Sequence, residues 1–403
     1  MSVVTRLQIA GCGMHLADQI ALVGVPLVAA LAFGASAEII GMLVACQSLA
    51  HLLGSIPAGL IVDRSAPRRV ALAAVLISLL GFVGTAASVL SGSLVGFGAG
   101  VTVAGFGIVL FVLTVLSIVP RSVPSTRLAQ ANARIEMPRA AASFAVPLVL
   151  GAVISAGTVD WVFGAAATGA GAALMAVAGL PSYEAGHPSA GSPLRKVVEG
   201  GAFVLSSDLL RAIAGCALFW NFAFSALLVT MVPLITEVLR LDAGVFGIAM
   251  AAFGLAAFTG SSLAARYAGR IRPSLILLFG PGSSVPAVLL LLTVTPGGSP
   301  LPIYAGFFLL GLGPSMWLIA QNSVRQLVSP RDMLGRVNAV IQTTIYGARP
   351  LGALCGGFLV SMTSPQTAIA FVACAYGLSF LAAALSRLRS IRSYGDLGVA
   401  EAG

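Results

Sequence analysis

Twelve apolar runs, each of about membrane-spanning length and each bounded by a short turn rich in Gly, Pro, Ser or charge, leave this 403-residue chain little choice of fold. A run of about 20 apolar residues crosses the hydrocarbon core as a helix, because no water is there to satisfy an open backbone. The runs lie near residues 8–32, 38–62, 70–90, 94–119, 132–156 and 160–180, then near 209–233, 243–266, 274–294, 301–322, 337–361 and 367–387. Between the two sets, Pro181 through Pro193 is a Pro-, Gly- and Ser-rich linker. Residues 194–207, with Arg195, Lys196 and Glu199, read as a short amphipathic helix at the membrane surface. The expected organisation is an all-α membrane protein. A six-helix bundle covers 1–180, a cytoplasmic linker 181–207, a second six-helix bundle 208–388 and a cytoplasmic tail 389–403.

Loop charges test the count, because Lys and Arg crowd the cytoplasmic loops of a correctly threaded chain. With the N-terminus inside, the inside loops collect Arg6, Arg64, Arg68, Arg69, Arg121, Arg127, Arg195, Lys196, Arg266, Arg270 and Arg272. Arg325, Arg331, Arg336, Arg387, Arg389 and Arg392 continue the trend, and of all 22 basic residues only Arg240 falls in a loop assigned outside. Both termini are therefore expected in the cytoplasm. The same placement accounts for the net charge of +9 without nucleic acid, since the basic residues form no patch with interleaved aromatics. The first run is long enough to span and carries Asp18 in its middle, so it reads as an uncleaved first helix rather than a signal peptide.

Enzyme chemistry finds no foothold. The five cysteines (Cys12, Cys46, Cys216, Cys355, Cys374) sit in apolar runs without ligand or disulfide spacing, and the three histidines include no HExxH. A P-loop needs Lys after Gly, yet the only lysine, Lys196, stands in Leu-Arg-Lys-Val. No G-x-S-x-G is present either, so no cofactor, metal or catalytic residue is expected. An integral membrane enzyme or lipid-handling protein remains only a remote alternative.

The turn after the second run reads Gly59-Leu-Ile-Val-Asp63-Arg64-Ser-Ala-Pro67-Arg68-Arg69. Its pattern and position resemble the signature loop of the major facilitator superfamily, with Ala66 where that family often has Gly. The resemblance implies that Asp63 serves as a gate against a helix N-terminus of the opposite half, where a carboxylate is favoured by the helix dipole. A plainer alternative is that Arg64, Arg68 and Arg69 merely hold the loop inside. The halves also repeat. Val119-Pro-Arg-Ser-Val-Pro-Ser-Thr-Arg-Leu-Ala-Gln-Ala-Asn132 echoes Val328-Ser-Pro-Arg-Asp-Met-Leu-Gly-Arg-Val-Asn338. A degraded copy of the loop follows the eighth run, with Ala264 where the acid would be. Leu16-Ala-Asp18-Gln-Ile-Ala-Leu-Val-Gly-Val-Pro26 and Gly347-Ala-Arg349-Pro350-Leu-Gly352 are similar to the drug and siderophore exporter branch. In the fifth run Val146-Pro147-Leu-Val-Leu150-Gly151 keeps only the Pro and last Gly of that branch's G-P-x-x-G-G. The resemblance implies a monomer of two six-helix bundles in a bacterial cytoplasmic membrane. It also implies export of a small amphipathic drug, secondary metabolite or siderophore by proton antiport. The nearest alternative is a same-fold importer or facilitator of a small nutrient.

Proton coupling needs an ionisable group inside the bundle, where such groups are costly and rarely idle. The candidates are Asp18, His51 and Glu136, with Asp18 favoured; the bland alternative is an Asp18 locked in an ion pair that fixes packing. Substrate-cavity candidates follow helical spacing. Gln47 and His51 share a face of the second run, and Trp220, Asn221 and Phe224 combine aromatic area with one amide. Asn338, Gln342, Tyr346 and Arg349 form a polar stripe on the eleventh run. For each of these except Arg349, a helix-to-helix hydrogen bond or core packing explains the residue equally well. An Arg349 guanidinium at mid-membrane calls for a carboxylate or an anionic substrate. Glycines such as Gly96, Gly98, Gly100, Gly105 and Gly107, and Gly352, Gly356 and Gly357, are expected where helices approach closely.

Overall fold

The computed structural model describes residues 2–122, 128–182, 193–266, 271–330 and 333–397. All regular structure among them is helical, and the chain divides into two compact units, Met1–Ala190 and Gly191–Gly403.

The first unit holds α1 (Val3–Phe33), α2 (Ala37–Arg64), α3 (Pro67–Leu90), α4 (Leu94–Ser122), α5 (Leu128–Ser155) and α6 (Val162–Ala178). The connections are short because each end carries its own stop and start. Ser2 caps α1 by accepting from Thr5 N at 3.2 Å, and Gly34 ends it in the left-handed region at φ 59°. Ser36 then caps α2, with Glu38 in its first turn. Only Ser65 and Ala66 separate α2 from α3, whose first residue is Pro67, pre-set for a helix start. Within this unit α1 packs on α5 and α6, α4 on α2 and α3, and α3 on α6.

Small residues make the tightest of those contacts, which is how helices pack where no water drives apolar side chains together. A Cβ on Gly81 would lie 2.5 Å from Ala104 N, and one on Gly100 would lie 2.8 Å from Thr85 N, so α3 and α4 meet backbone to backbone. Ser78 Oγ ties the same pair by donating to Ala104 O at 3.1 Å. Leu76, Leu80, Val83 and Leu90 lie exposed along α3, a face suited to lipid. The close approach expected of Gly100 is thus met.

The second unit begins with α7 (Pro193–Ser206) and continues through α8 (Asp208–Pro233), α9 (Gly244–Arg266), α10 (Pro273–Leu291), α11 (Leu301–Val328), α12 (Leu334–Met362) and α13 (Pro365–Ala384). A five-residue π-helical turn follows Pro233, and Arg240 takes φ 55° just beyond it. Here α8 packs on α12 and α13, α11 on α9 and α10, and α10 on α13. That is the first unit's pairing scheme again, helix for helix. The repeat also has a sequence trace: Ile9-Ala-Gly-Cys12 in α1 returns as Ile213-Ala-Gly-Cys216 in α8.

A helix therefore occupies each of the twelve expected stretches, and α7 occupies the expected surface helix. Among the described residues nine helices are long and apolar enough to cross a membrane. Helix α12 is not one of them, because Arg336, Arg349 and the polar stripe lower its hydropathy.

Both α7 and the tail close one end of the second unit. Val204 of α7 shares an apolar cluster with Leu210, Ile213, Val324, Val337 and the tail residues Leu388 and Ile391. The Ile391 carbonyl accepts from Ser274 N at 3.1 Å, and Tyr394 is hydrogen-bonded to Ser323. Burial pushes the Tyr394 phenol above its ordinary range, and the Ser323 bond only partly opposes this. Residues 387–397 are thus packed structure, held by two apolar side chains that a polar tail would leave in water. Arg336 reaches Glu199 of α7 at 2.8 Å, with side chains 32% and 36% exposed. Half-solvated pairs contribute little, so Glu199→Ala is expected to cost under about 1 kcal/mol. It should nevertheless speed hydrogen exchange across 193–206, read by mass spectrometry.

Candidate functional site

Asp18 stands at the midpoint of α1, partly buried, with no hydrogen bond or ion pair among the described residues. His15, 8% exposed, lies three residues earlier and so on the same face. Sequence reasoning passed over His15, although its spacing from Asp18 is the signal that would have found it. The surrounding faces of α1 are committed to packing: a Cβ on Gly13 would overlap the Gly169 carbonyl of α6, and Gly24 lies against Val162. Gln47 is buried in α2. The side chains of His51 and Glu136, proposed alongside Asp18, lie outside the described residues, as do Gly59 and the side chains of Asp63 and Arg64.

The rest of the signature turn has a role inside its own unit. Arg68 Nη2 donates to the Ala178 carbonyl at 2.8 Å, and Nη1 to Ser182 Oγ at 3.5 Å. Both acceptors lie at the C-terminal end of α6, where orphan carbonyls and the negative end of the dipole attract a cation. Arg6 lies there too, since a Cβ on Gly179 would overlap its guanidinium. Arg69, by contrast, is exposed. Arg68 therefore also ties the start of α3 to the end of α6, a task the loop pattern did not reveal. Arg68→Ala is expected to cost about 1 to 2 kcal/mol, a charge-assisted hydrogen bond's worth, seen as a melting point several degrees lower in detergent.

In the second unit the candidates come together on α8 and α12. Asn221 Nδ2 donates to the Ala217 carbonyl one turn earlier at 2.9 Å, which orients the amide so that Oδ1 faces α12. There it accepts from Arg349 Nε at 3.1 Å. The Arg349 guanidinium carbon also lies 5.6 Å from the centre of the Tyr346 ring, within cation–π range. Gly352 and Gly356 allow this meeting: a Cβ on Gly356 would sit 2.7 Å from the Ala226 carbonyl, and one on Gly352 would overlap that of Phe222. Asn338 is partly buried and its Oδ1 has no partner among the described residues; Gln342 is exposed. The stripe therefore splits into a docked end at Tyr346 and Arg349 and an open end.

Trp220 and Phe224 belong to a packed aromatic ladder. Their rings stack at 5.0 Å, Phe224 stacks on Phe253 of α9 at 5.2 Å, and Trp220 meets Tyr376 of α13 at 6.1 Å. Trp220 Nε1 donates to Ser284 Oγ of α10 at 3.0 Å. Beside it a cavity of about 10 Å³ is lined by Cys216, Trp220, Pro281, Pro314, Trp317 and Ser379, room for about one water. Buried Trp317 Nε1 and Tyr376 Oη have no partner among the described residues. A larger open cleft of about 410 Å³ lies at the end of the unit around Asp208, Arg211 and Arg387. Its ion pairs are largely solvated, at 2.5 and 4.0 Å with side chains about half exposed or more, so it lacks the buried polar groups of a recognition site. Among the described residues no His, Cys, Asp or Glu cluster could hold a metal.

The family model of the Major Facilitator Superfamily matches residues 7–353 and 215–396. An enterobactin exporter, EntS, of Escherichia coli O1:K1 / APEC is 27% identical over 334 residues, covering 81% of this chain and 78% of its own length. That of Shigella boydii serotype 4 is 27% identical over 338 residues, 82% and 79% of the two chains. Among solved structures, a POT family transporter in complex with 5-aminolevulinic acid superposes with a TM-score of 0.76 over 94% of each chain at 12% identity, a likeness of fold alone.

Proposed function

The chain belongs to the major facilitator superfamily, and from that premise we propose that it is a secondary active transporter moving a small amphipathic molecule out of the cell by proton antiport with alternating access. The cargo is a drug, a secondary metabolite or a siderophore, and the similarity to enterobactin exporters supports a small exported molecule. The protein works in a bacterial cytoplasmic membrane with both termini in the cytoplasm, as the loop charges favour. The sequence has no P-loop lysine, so the chain is not itself an ATPase of that type, and the energy source proposed is a gradient rather than a partner subunit.

The observation that carries the coupling step is Asp18. It is a carboxylate halfway along a spanning helix, with no cation bonded to it among the described residues and buried His15 one turn away. An acid in that position can take up a proton from one side and release it to the other without first breaking an ion pair. The test is purified protein in liposomes carrying an internal pH dye, with cationic, neutral and anionic amphiphiles added outside. Compound-dependent proton movement is the expected result. Compound uptake with no proton movement would instead establish the nutrient facilitator.

A further inference from the structure

We infer that Arg349 receives the anionic group of the transported molecule, so that the cargo is an amphipathic organic anion such as a carboxylate or phenolate. This rests on the transport reading above and sharpens it. The guanidinium sits at mid-helix in α12, and its partners among the described residues are the Asn221 amide oxygen and the Tyr346 ring face. Each stabilises a cation and neither neutralises it.

No carboxylate of the second unit whose side chain is described is placed to do so. Helices α9 to α13 contain no Asp or Glu, and α8 has only Asp208, at its first residue and bound to Arg211. Asp208 precedes Asn221 by 13 residues (221 − 208), about 20 Å along the helix. Glu199 is paired with Arg336, which is likewise 13 residues from Arg349 (349 − 336), about 20 Å away. Glu237 and Asp242 lie beyond the far end of α8.

The geometry also says how the anion is held. Asn221 occupies Nε, and one of its own two amide N–H groups donates to the Ala217 carbonyl, which holds the amide with Oδ1 towards the guanidinium. The Nη1 and Nη2 edge carries no partner among the described residues. Two parallel N–H groups on that edge match a carboxylate's two oxygens, and the Asn221 tether fixes the fork in advance.

The test compares three probes with one ring system: 2-naphthoate, 2-naphthylmethanol and 2-naphthylmethylamine. Binding is followed by tryptophan quenching of the purified full chain in nanodiscs, and transport in liposomes. Wild type is expected to bind naphthoate roughly tenfold more tightly than the alcohol, and Arg349→Gln to bring that ratio to about one with alcohol binding kept. Arg349→Lys should retain part of the preference, and Asn221→Ala should reduce it several-fold by freeing the fork. These two variants decide the matter if Arg349→Gln lacks a cooperative melt. A wild type that binds the three probes equally or not at all overturns the inference, as does a preference that survives the loss of the guanidinium. Failure here with proton-coupled flux of other amphiphiles intact leaves the transporter reading standing. Naphthoate that binds through Arg349 but is never moved removes the transporter reading while the anion site stands.

Discussion

Asp18→Asn is expected to reduce compound-driven proton flux to the level of protein-free liposomes while the protein stays folded. The two halves of that expectation come from one observation. Were Asp18 locked to an arginine, removing its charge would strand a buried cation and cost about 3 to 5 kcal/mol. It has no such partner among the described residues, so the isosteric amide should melt close to wild type. What the amide cannot do is carry a proton. Exchange of labelled compound across the membrane, which needs no net proton movement, should therefore continue in the variant. A steep fall in melting point would show that Asp18 is a packing residue, and unchanged proton flux would move the coupling role to Glu136 or His51.

Gly352→Leu is expected to be among the most damaging single substitutions in the second unit. A Cβ there would overlap the Phe222 carbonyl, which is backbone and cannot swing aside as a side chain could. Helices α8 and α12 must separate, and Gly356, one turn on, shares the same tight contact. Overpacking of this kind costs about 1 to 3 kcal/mol or more. Here it also pulls apart Asn221 and Arg349, whose bond crosses the same interface one turn away. Loss of monodisperse protein on size exclusion is the expected readout. Gly377→Ala is the control: nothing lies within 4 Å of its added Cβ, and an alanine in mid-helix is preferred to glycine by roughly 0.5 to 1 kcal/mol. It should be neutral or mildly stabilising.

Much of the candidate site could be read before the fold, and the reasons for the gaps are physical. Tyr346 and Arg349 announce themselves because polar residues at three-and-four spacing stand out on an apolar helix. Asn221 could be named as a candidate, but not as the partner of a residue 128 positions away. The bond from Arg68 to the end of α6 was hidden for the same reason, as were the contacts that hold Leu388 and Ile391. By sequence Trp220 and Phe224 suit a cavity wall or core packing alike, and their rings lie in a stacked ladder that spans α8, α9 and α13. Periodicity reports which face of a helix is special, while the identity of the neighbour is a property of the bundle.

By itself, then, the sequence determined where the helices lie and that the chain repeats, and its loop charges are the ground on which a cytoplasmic side is proposed. Hydropathy and the placement of arginine act locally, through transfer from water and attraction to the inner surface, so they are written along the chain. Only the tertiary structure decided that α8 meets α12 closely enough for Asn221 to hold Arg349, and that Asp18 is left without an ion pair among the described residues. Those outcomes turn on which helices come within hydrogen-bond reach. In this protein that is governed by where a missing Cβ lets two backbones touch.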